Sequence, residues 1–163
     1  MSEWRQLDPR YVSVQRAKGW IAVAIVIGVW ALLLAILLVA REEGLRFLVW
    51  TVFLLGLFAA GPLVWLAAAW PSLSYRHYSY RIDEQAIEIR SGVFIRRVTT
   101  VPRSRVQHTD VAQGPIERRY GLGTLVVYTA GSHFARVGLP GLEYGTAVST
   151  RDMLLPGGGA DGV

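Results

Sequence analysis

Residues 19–70 read GWIAVAIVIGVWALLLAILLVA, then REEGLR, then FLVWTVFLLGLFAAGPLVWLAAAW: two apolar runs of 22 and 24 residues separated by six. Neither run contains Asp, Glu, Lys or Arg. Each is longer than the roughly 20 helical residues that cross a ~30 Å hydrocarbon core. Both are therefore expected to span a bilayer, as transmembrane helix 1 over residues 19–40 and transmembrane helix 2 over residues 47–70. A secretory signal is the rival reading of the first run, because Arg16 and Lys18 precede it. A signal core is only about 7–15 residues long and ends in a small-x-small cleavage pattern, and Leu38-Val39-Ala40 does not supply one. The short loop, residues 41–46, forces the helices to run antiparallel as neighbours and has no room for a domain.

Charge orients the hairpin. Arg5, Arg10, Arg16 and Lys18 precede the first span and Arg76, Arg81 and Arg90 follow the second, whereas the loop holds only Arg41 and Arg46. Excess basic flanks stay inside, so a multi-pass protein of the cytoplasmic (inner) membrane is expected, with both termini cytoplasmic and residues 1–18 as an N-terminal segment. The net charge of +5 divides as +2 before the first span (four basic, two acidic), 0 in the loop (two and two) and +3 after the second span (eleven and eight). The excess sits where anionic headgroups would lie. A pI near 10 raises nucleic-acid binding, but the charge flanks the membrane rather than lining one helix or strand set, and topology accounts for it. The chain has no cysteine, which removes disulfides and thiolate metal sites.

A channel or proton carrier places an ionisable residue within the membrane, and neither span has one, so transport by this chain alone is not expected. Small residues recur at four-residue spacing, Ala24/Gly28 and Ala31/Ala35 in the first span and Gly56/Ala60 in the second. Such spacing lets helix backbones approach closely. Packing within the hairpin is the plain reading, and contact with a second membrane protein or another copy is the other. Pro62 is expected to kink the second helix, and Trp20, Trp50 and Trp70 to anchor span ends at the interface.

After the spans the pattern changes to alternation punctuated by turn residues, the mark of short antiparallel strands. Strands are expected at 75–82, 86–90, 93–101, 105–112, 124–128 and 135–139, with Ile87 and Ile89 sharing a face and Pro102 closing the third. A helix is expected within 141–155, with Leu142, Ala147, Met153 and Leu154 available for its inward side. Gly114-Pro115-Ile116-Glu117-Arg118-Arg119-Tyr120-Gly121 has proline at a first helical position and glycine past the end, which predicts one helical turn. The fold class is thus an α+β membrane protein: a two-helix transmembrane hairpin, then a small antiparallel β-barrel or sandwich over residues 71–155 with a C-terminal helix, then a Gly-rich disordered tail over 156–163.

The run VPRSRVQHTDVAQGPIERRYGLGTLVVYTAG, residues 101–131, with RSGVFIRRVTTVP before it and VGLPGL after it, resembles the bacterial pleckstrin-homology-like, membrane-flanked domain family (the YdbS-like group). The resemblance covers about residues 15–155, and two spans ahead of the domain is that family's arrangement. It implies a pleckstrin-homology-like fold, two roughly orthogonal antiparallel sheets with a C-terminal helix, held at the cytoplasmic membrane face. It implies no enzyme and brings no catalytic residue with it. Pro102, Arg103, Ser104, Arg105, Gln107, Gly114, Pro115, Arg118, Gly121 and the turn at Gly131 match its motif, whereas Arg119 and Tyr120 depart from the more apolar pair it carries.

Five arginines form the candidate surface for a headgroup or a partner: Arg96, Arg103, Arg105, Arg118 and Arg119. Guanidinium groups suit phosphate through forked hydrogen bonds and charge; the alternative is solvated strand faces. Arg103 and Arg105, two apart, would share one face of an extended segment, whereas Arg96 and Arg97 would point opposite ways. Ser104 has no activating neighbour. His77, His108 and His133 are too scattered for a metal or catalytic set, the carboxylates form no acid-base pair, and Gly121-Leu122-Gly123 lacks the context of a dinucleotide loop. No metal, cofactor or small-molecule substrate is expected. The sequence reads as a membrane-anchored, non-enzymatic interaction module, an accessory subunit of a bacterial membrane complex. Its expected partners are membrane lipids and another membrane protein, of the same family or a second copy. The alternatives are a lipid-headgroup-sensing or envelope-stress protein, or a partner-dependent transport component.

Overall fold

Alternation of apolar and polar residues after the second span folds into two antiparallel sheets in the computed structural model, which describes residues 3–39, 44, 46–83, 85–130 and 136–154. Most of the expected loop 41–46, the turn at Gly131 with His133, and the tail 156–163 lie outside the described residues. The first sheet has the order β1-β2-β3-β4, from β1 (Arg5–Gln6), β2 (Ser79–Ile82), β3 (Ala86–Ser91) and β4 (Arg97–Pro102); the second has the order β5-β6-β7, from β5 (Val106–Ala112), β6 (Leu122–Thr129) and β7 (Arg136–Glu143). Among the described residues the two sheets do not join, so of the two forms the sequence allowed, this is sandwich-like and not a closed barrel. Between β5 and β6 stands the expected helical turn, α3 (Pro115–Arg119), with Gly114 before it and proline at its start. The C-terminal helix is α4 (Tyr144–Leu154).

Register explains the core. Tyr80 pairs with Ile89 and Ile87 with Val101, so their side chains leave the same face of the first sheet. They meet Leu125, Val127, Val137 and Leu139 from the second sheet and Ala147 and Leu154 from α4. Each fully buried Leu or Ile there contributes roughly 1.5–3 kcal/mol of transfer free energy. On α4 the buried stripe is Ala147, Thr150 and Leu154. Met153, expected inward, is 58% exposed because it stands about 100° round the helix from Leu154, and Leu142 is buried in β7 rather than in the helix.

Several boundaries differ from those read in the sequence; β7 runs on to Glu143, so the C-terminal helix starts at Tyr144 rather than Gly141. The second long helix, α2 (Arg46–Arg76), continues through Pro71 beyond the expected end of the span at residue 70, so residues 71–74 are helical and no strand begins at Tyr75. Proline fits helical φ and forfeits one backbone bond, and the Ser72 hydroxyl donates to the Ala69 carbonyl at 2.8 Å beside it. The third strand starts at Arg97 rather than Val93. Arg103–Arg105 is a 3-10 turn, so the strand expected from Arg105 begins at Val106.

The largest difference lies before the spans. Arg5 pairs with Tyr80 and Gln6 with Ser79, and Leu7, 2% exposed, joins the core. Residues 1–14 and 73–163 therefore form one compact unit, and residues 15–72 another. The hairpin is an insertion between the first two strands of the domain, and residues 1–18 are not a separate segment. Asp8 then starts the first long helix, α1 (Arg10–Val39). Its carboxylate accepts the Arg10 backbone N–H at 2.8 Å and the Arg10 guanidinium through Nε at 3.0 Å and Nη2 at 2.8 Å.

These bonds to Arg10 hold the Asp8 carboxyl below its ordinary value. A depressed folded value means the ionised form stabilises the fold. The contribution is complete above the ordinary carboxylate pKa of about 3.9 and fades as pH falls through the lower folded value. Asp8→Ala is expected to cost about 1 kcal/mol at neutral pH, as loss of a helix cap does. Melting temperatures of the two chains should converge under acid; a constant gap down the pH series would refute the cap.

In the hairpin unit, Trp30 lies between the helices. Its indole Nε1 donates to the Val52 carbonyl at 3.0 Å, its ring stands 6.2 Å from that of Phe53, and a Cβ at Gly56 would overlap it. Further along, a Cβ at Gly19 would lie 3.1 Å from the Ala67 backbone, and Arg16 Nε donates to the Ala68 carbonyl at 3.2 Å. Both helices are long and apolar enough to cross a membrane, and almost none of either is buried.

Candidate functional site

The first sheet has two ends, and the chain uses them differently. Gln6, Ser79 and Arg90 lie level across β1, β2 and β3, and Ser91 pairs with Arg97. At this end the chain leaves β1 for α1 and returns from α2 into β2, three residues after Arg76. The turn joining β3 to β4, residues 92–96, is at the same end. The second sheet shares it through two contacts: the Asp8 backbone N–H donates to the Gly141 carbonyl at 2.9 Å, and Arg10 Nη1 donates to the Tyr120 carbonyl at 3.3 Å. Tyr120 closes α3, which brings exposed Arg118 and Arg119 to this entry end with exposed Arg96.

Arg103 and Arg105 sit elsewhere. Pro102 pairs with Ala86, at the opposite end of the sheet, and the 3-10 turn that follows carries both residues. Their expected common face fails because such a turn has three residues per revolution, not two. The Arg103 backbone N–H donates to the Gln85 carbonyl at 2.9 Å, and its Nη2 to the Met153 carbonyl. A guanidinium on the last carbonyls of α4 serves the helix terminus. The five arginines thus divide, three at the entry end and two at the far end.

The small residues divide as well. Gly56 receives the Trp30 indole and Ala60 is half-buried, whereas Ala24, Gly28, Ala31 and Ala35 are exposed, with nothing within 4 Å of a Cβ at Gly28. The seam of α1 runs along Gly19, Val23 and Trp30. Ala24 and Ala31 each follow a seam residue and so stand about 100° round the helix.

One grouping had no signal in the sequence. Trp4 packs on the outer face of the first sheet, with Arg90 Cζ 3.6 Å and Arg81 Cζ 5.2 Å from its ring centroid. Arg81 also pairs with Asp83 at 3.0 Å and Glu88 at 3.1 Å. Cation–π contacts of roughly 0.5–2 kcal/mol pin the short β1 to its neighbours; Trp4 is a lone aromatic in the sequence, and its partners lie some eighty positions away.

Between β1, β2 and α4 opens a cleft of about 420 Å³ lined by Glu3, Arg5, Tyr80, Ile82, Thr146, Thr150 and Met153. Its groups present hydroxyls and one ion of each sign but no nucleophile beside a base. His77 closes α2, with Nδ1 2.9 Å from the Leu73 carbonyl. His108 lies in β5 with its ring 5.7 Å from that of Tyr128. Ser104 is exposed in the 3-10 turn. Among the described residues no three His, Cys, Asp or Glu side chains are grouped as metal ligands would be.

Two antiparallel sheets closed by a C-terminal helix, interrupted after the first strand by two long apolar helices, define a membrane-associated pleckstrin-homology-like protein. The chain belongs to the bacterial PH domain family, whose model matches residues 12–156. It is similar to the transmembrane protein YdbS of Bacillus subtilis, 28% identical over 151 residues that make up 92% of each chain. The transmembrane protein YdbT of the same organism is 30% identical over 82 residues, which are 50% of this chain and 16% of that protein. No solved structure matches the chain.

Proposed function

We propose that the chain is a non-enzymatic interaction module, an accessory subunit of a bacterial membrane complex, held at the cytoplasmic face of the inner membrane. The observation that carries this reading is the insertion of the hairpin between β1 and β2. A domain joined to the bilayer by two chain crossings is already at the membrane and has no need of lipid affinity to reach it. Its surfaces are then available for a protein partner. The β1–β2 pairing keeps the N-terminal strand and the main domain on one side, as two spans require, and the seven-to-two distribution of flanking basic residues favours the cytoplasm. The partner is a second membrane protein, and a longer member of the same family fits: part of the longer YdbT matches half of this chain. The exposed face of Ala24, Gly28, Ala31 and Ala35 would admit a partner helix closely.

Chemical crosslinking in membranes, then purification of the tagged full chain in several mild detergents, tests this. The expected result is a second membrane protein recovered in fixed ratio, with recovery falling sharply for Gly28→Leu, a position outside the hairpin seam. Recovery of the chain alone under every detergent would overturn the proposal. A reporter fused after Val163 and active only outside the cytoplasm would overturn the orientation.

A further inference from the structure

The turn between β3 and β4 carries the sequence Gly92-Val93-Phe94-Ile95-Arg96-Arg97. Phe94 is 84% exposed and Ile95 81%, among the most exposed large apolar side chains in the described residues and the two most exposed outside the spans. The turn is built rather than loose in form. Gly92 holds φ at +109°, and a Cβ there would run into the Ile95 carbonyl, so only glycine allows the chain to fold back at this turn.

Two exposed apolar side chains next to two exposed arginines match the two layers of a bilayer surface, acyl chains beneath and anionic phosphates above. Topology places the turn correctly for that use. It projects from the end of the first sheet at which β1 leads into α1 and α2 leads into β2. Neighbouring strands are only about 4.8 Å apart, so the turn lies within two strand spacings of the residues entering from the membrane. Arg118 and Arg119 share that end.

We propose that Phe94 and Ile95 dip into the interfacial layer of the same membrane that the hairpin crosses, with Arg96 and Arg97 on anionic lipid headgroups, fixing the domain in one orientation. The ligand is a lipid surface. The hairpin keeps the turn at high effective concentration over that surface, so even a weak contact is occupied. The inference rests on the hairpin crossing a bilayer but is independent of any protein partner.

The absence of cysteine makes the test direct. Phe94→Cys, Ile95→Cys and, at the opposite end of the sheet, Ser104→Cys are each labelled with a nitroxide in the full chain. The labelled chains are reconstituted in phosphatidylcholine vesicles with and without phosphatidylglycerol. Depth is read from collisions with oxygen, which partitions into lipid, against a water-soluble nickel chelate. The ratio at 94 and 95 is expected to exceed that at 104 several-fold when phosphatidylglycerol is present, and to fall several-fold when Arg96→Glu and Arg97→Glu are combined with the label at 94. Equal ratios at all three positions would overturn the proposal. So would shielding of 94 and 95 from both reagents, which is the signature of a protein contact, and so would indifference to the charge reversal. All three positions are exposed, so folding of the labelled chains is checked against the parent by circular dichroism.

Discussion

Leu7→Ala is expected to destabilise the domain by about 2–5 kcal/mol, the range for truncating a buried leucine, against the roughly 5–15 kcal/mol that holds a whole domain together. Leu7 is 2% exposed and packs in the same cluster as Tyr80, Leu139 and Leu154. Its carbonyl accepts the Tyr75 hydroxyl at 3.0 Å, and the next residue donates its backbone N–H to Gly141. The strand before it has only two residues, so Leu7 is the main apolar hold that the N-terminal segment has on the sandwich. Truncating it should leave a cavity and also release β1. Amide exchange in β2 should therefore rise well beyond what the lost stability alone explains, because Ser79–Ile82 becomes an edge strand. Arg5→Ala, on an exposed side chain two residues away, should change stability far less. Equal exchange in the Leu7→Ala and parent chains would show that β1 is not part of the folded domain.

A second large effect is expected at Gly141. Its φ is +69°, and a Cβ there would meet the Tyr11 ring at 2.8 Å. Gly141→Val sets two costs together, about 1–3 kcal/mol for a left-handed backbone on a non-glycine residue and about 1–3 kcal/mol for overpacking. Tyr11 must move, and with it the first turn of α1 and the Asp8 bond to the Gly141 carbonyl. Gly145→Ala is the contrasting case. That glycine is the second residue of α4, without a positive φ and with nothing within 4 Å of an added Cβ, so alanine should stabilise the chain by about 0.4–1 kcal/mol by restricting the unfolded state. Thermal unfolding in one detergent compares the pair, and the two melting temperatures should move in opposite directions; a shared direction would mean that backbone conformation at these glycines is not what decides stability.

The hairpin was legible because bilayer thickness is a stringent filter: few sequences hold more than twenty residues without a charge. The turn at Pro115 and the β2–β3 pair were legible because proline position and two-residue alternation are local signals. Local signals also account for what was missed. Arg5-Gln6 is too short to alternate, and its partner Ser79 lies beyond both spans, so no window of sequence contains the pairing. The second span reads as ending at Trp70 because proline usually ends helices, yet here the helix runs on through Pro71. Arg103 and Arg105 would share a face only on a strand, and one 3-10 turn changes that period. The small residues of α1 would seat a neighbour, but a single large residue, Trp30, opposite a single glycine, Gly56, sets where the helices meet, and spacing rules give Trp30 no weight.

Placing β1 ahead of the spans also sets an order of events during synthesis. Gln6 leaves the ribosome 73 residues before its partner Ser79, an interval of several seconds at about 5–20 residues per second. Through that interval the strand has nothing to pair with, and both apolar helices leave the ribosome before β2 does. A chain whose hairpin enters with only one span across leaves Leu7 on the wrong side, and its domain lacks a piece of its own core. Closure of the domain therefore reports that β1 and β2 lie on the same side of the bilayer, and a chain with a single span across is expected to stay open to proteases.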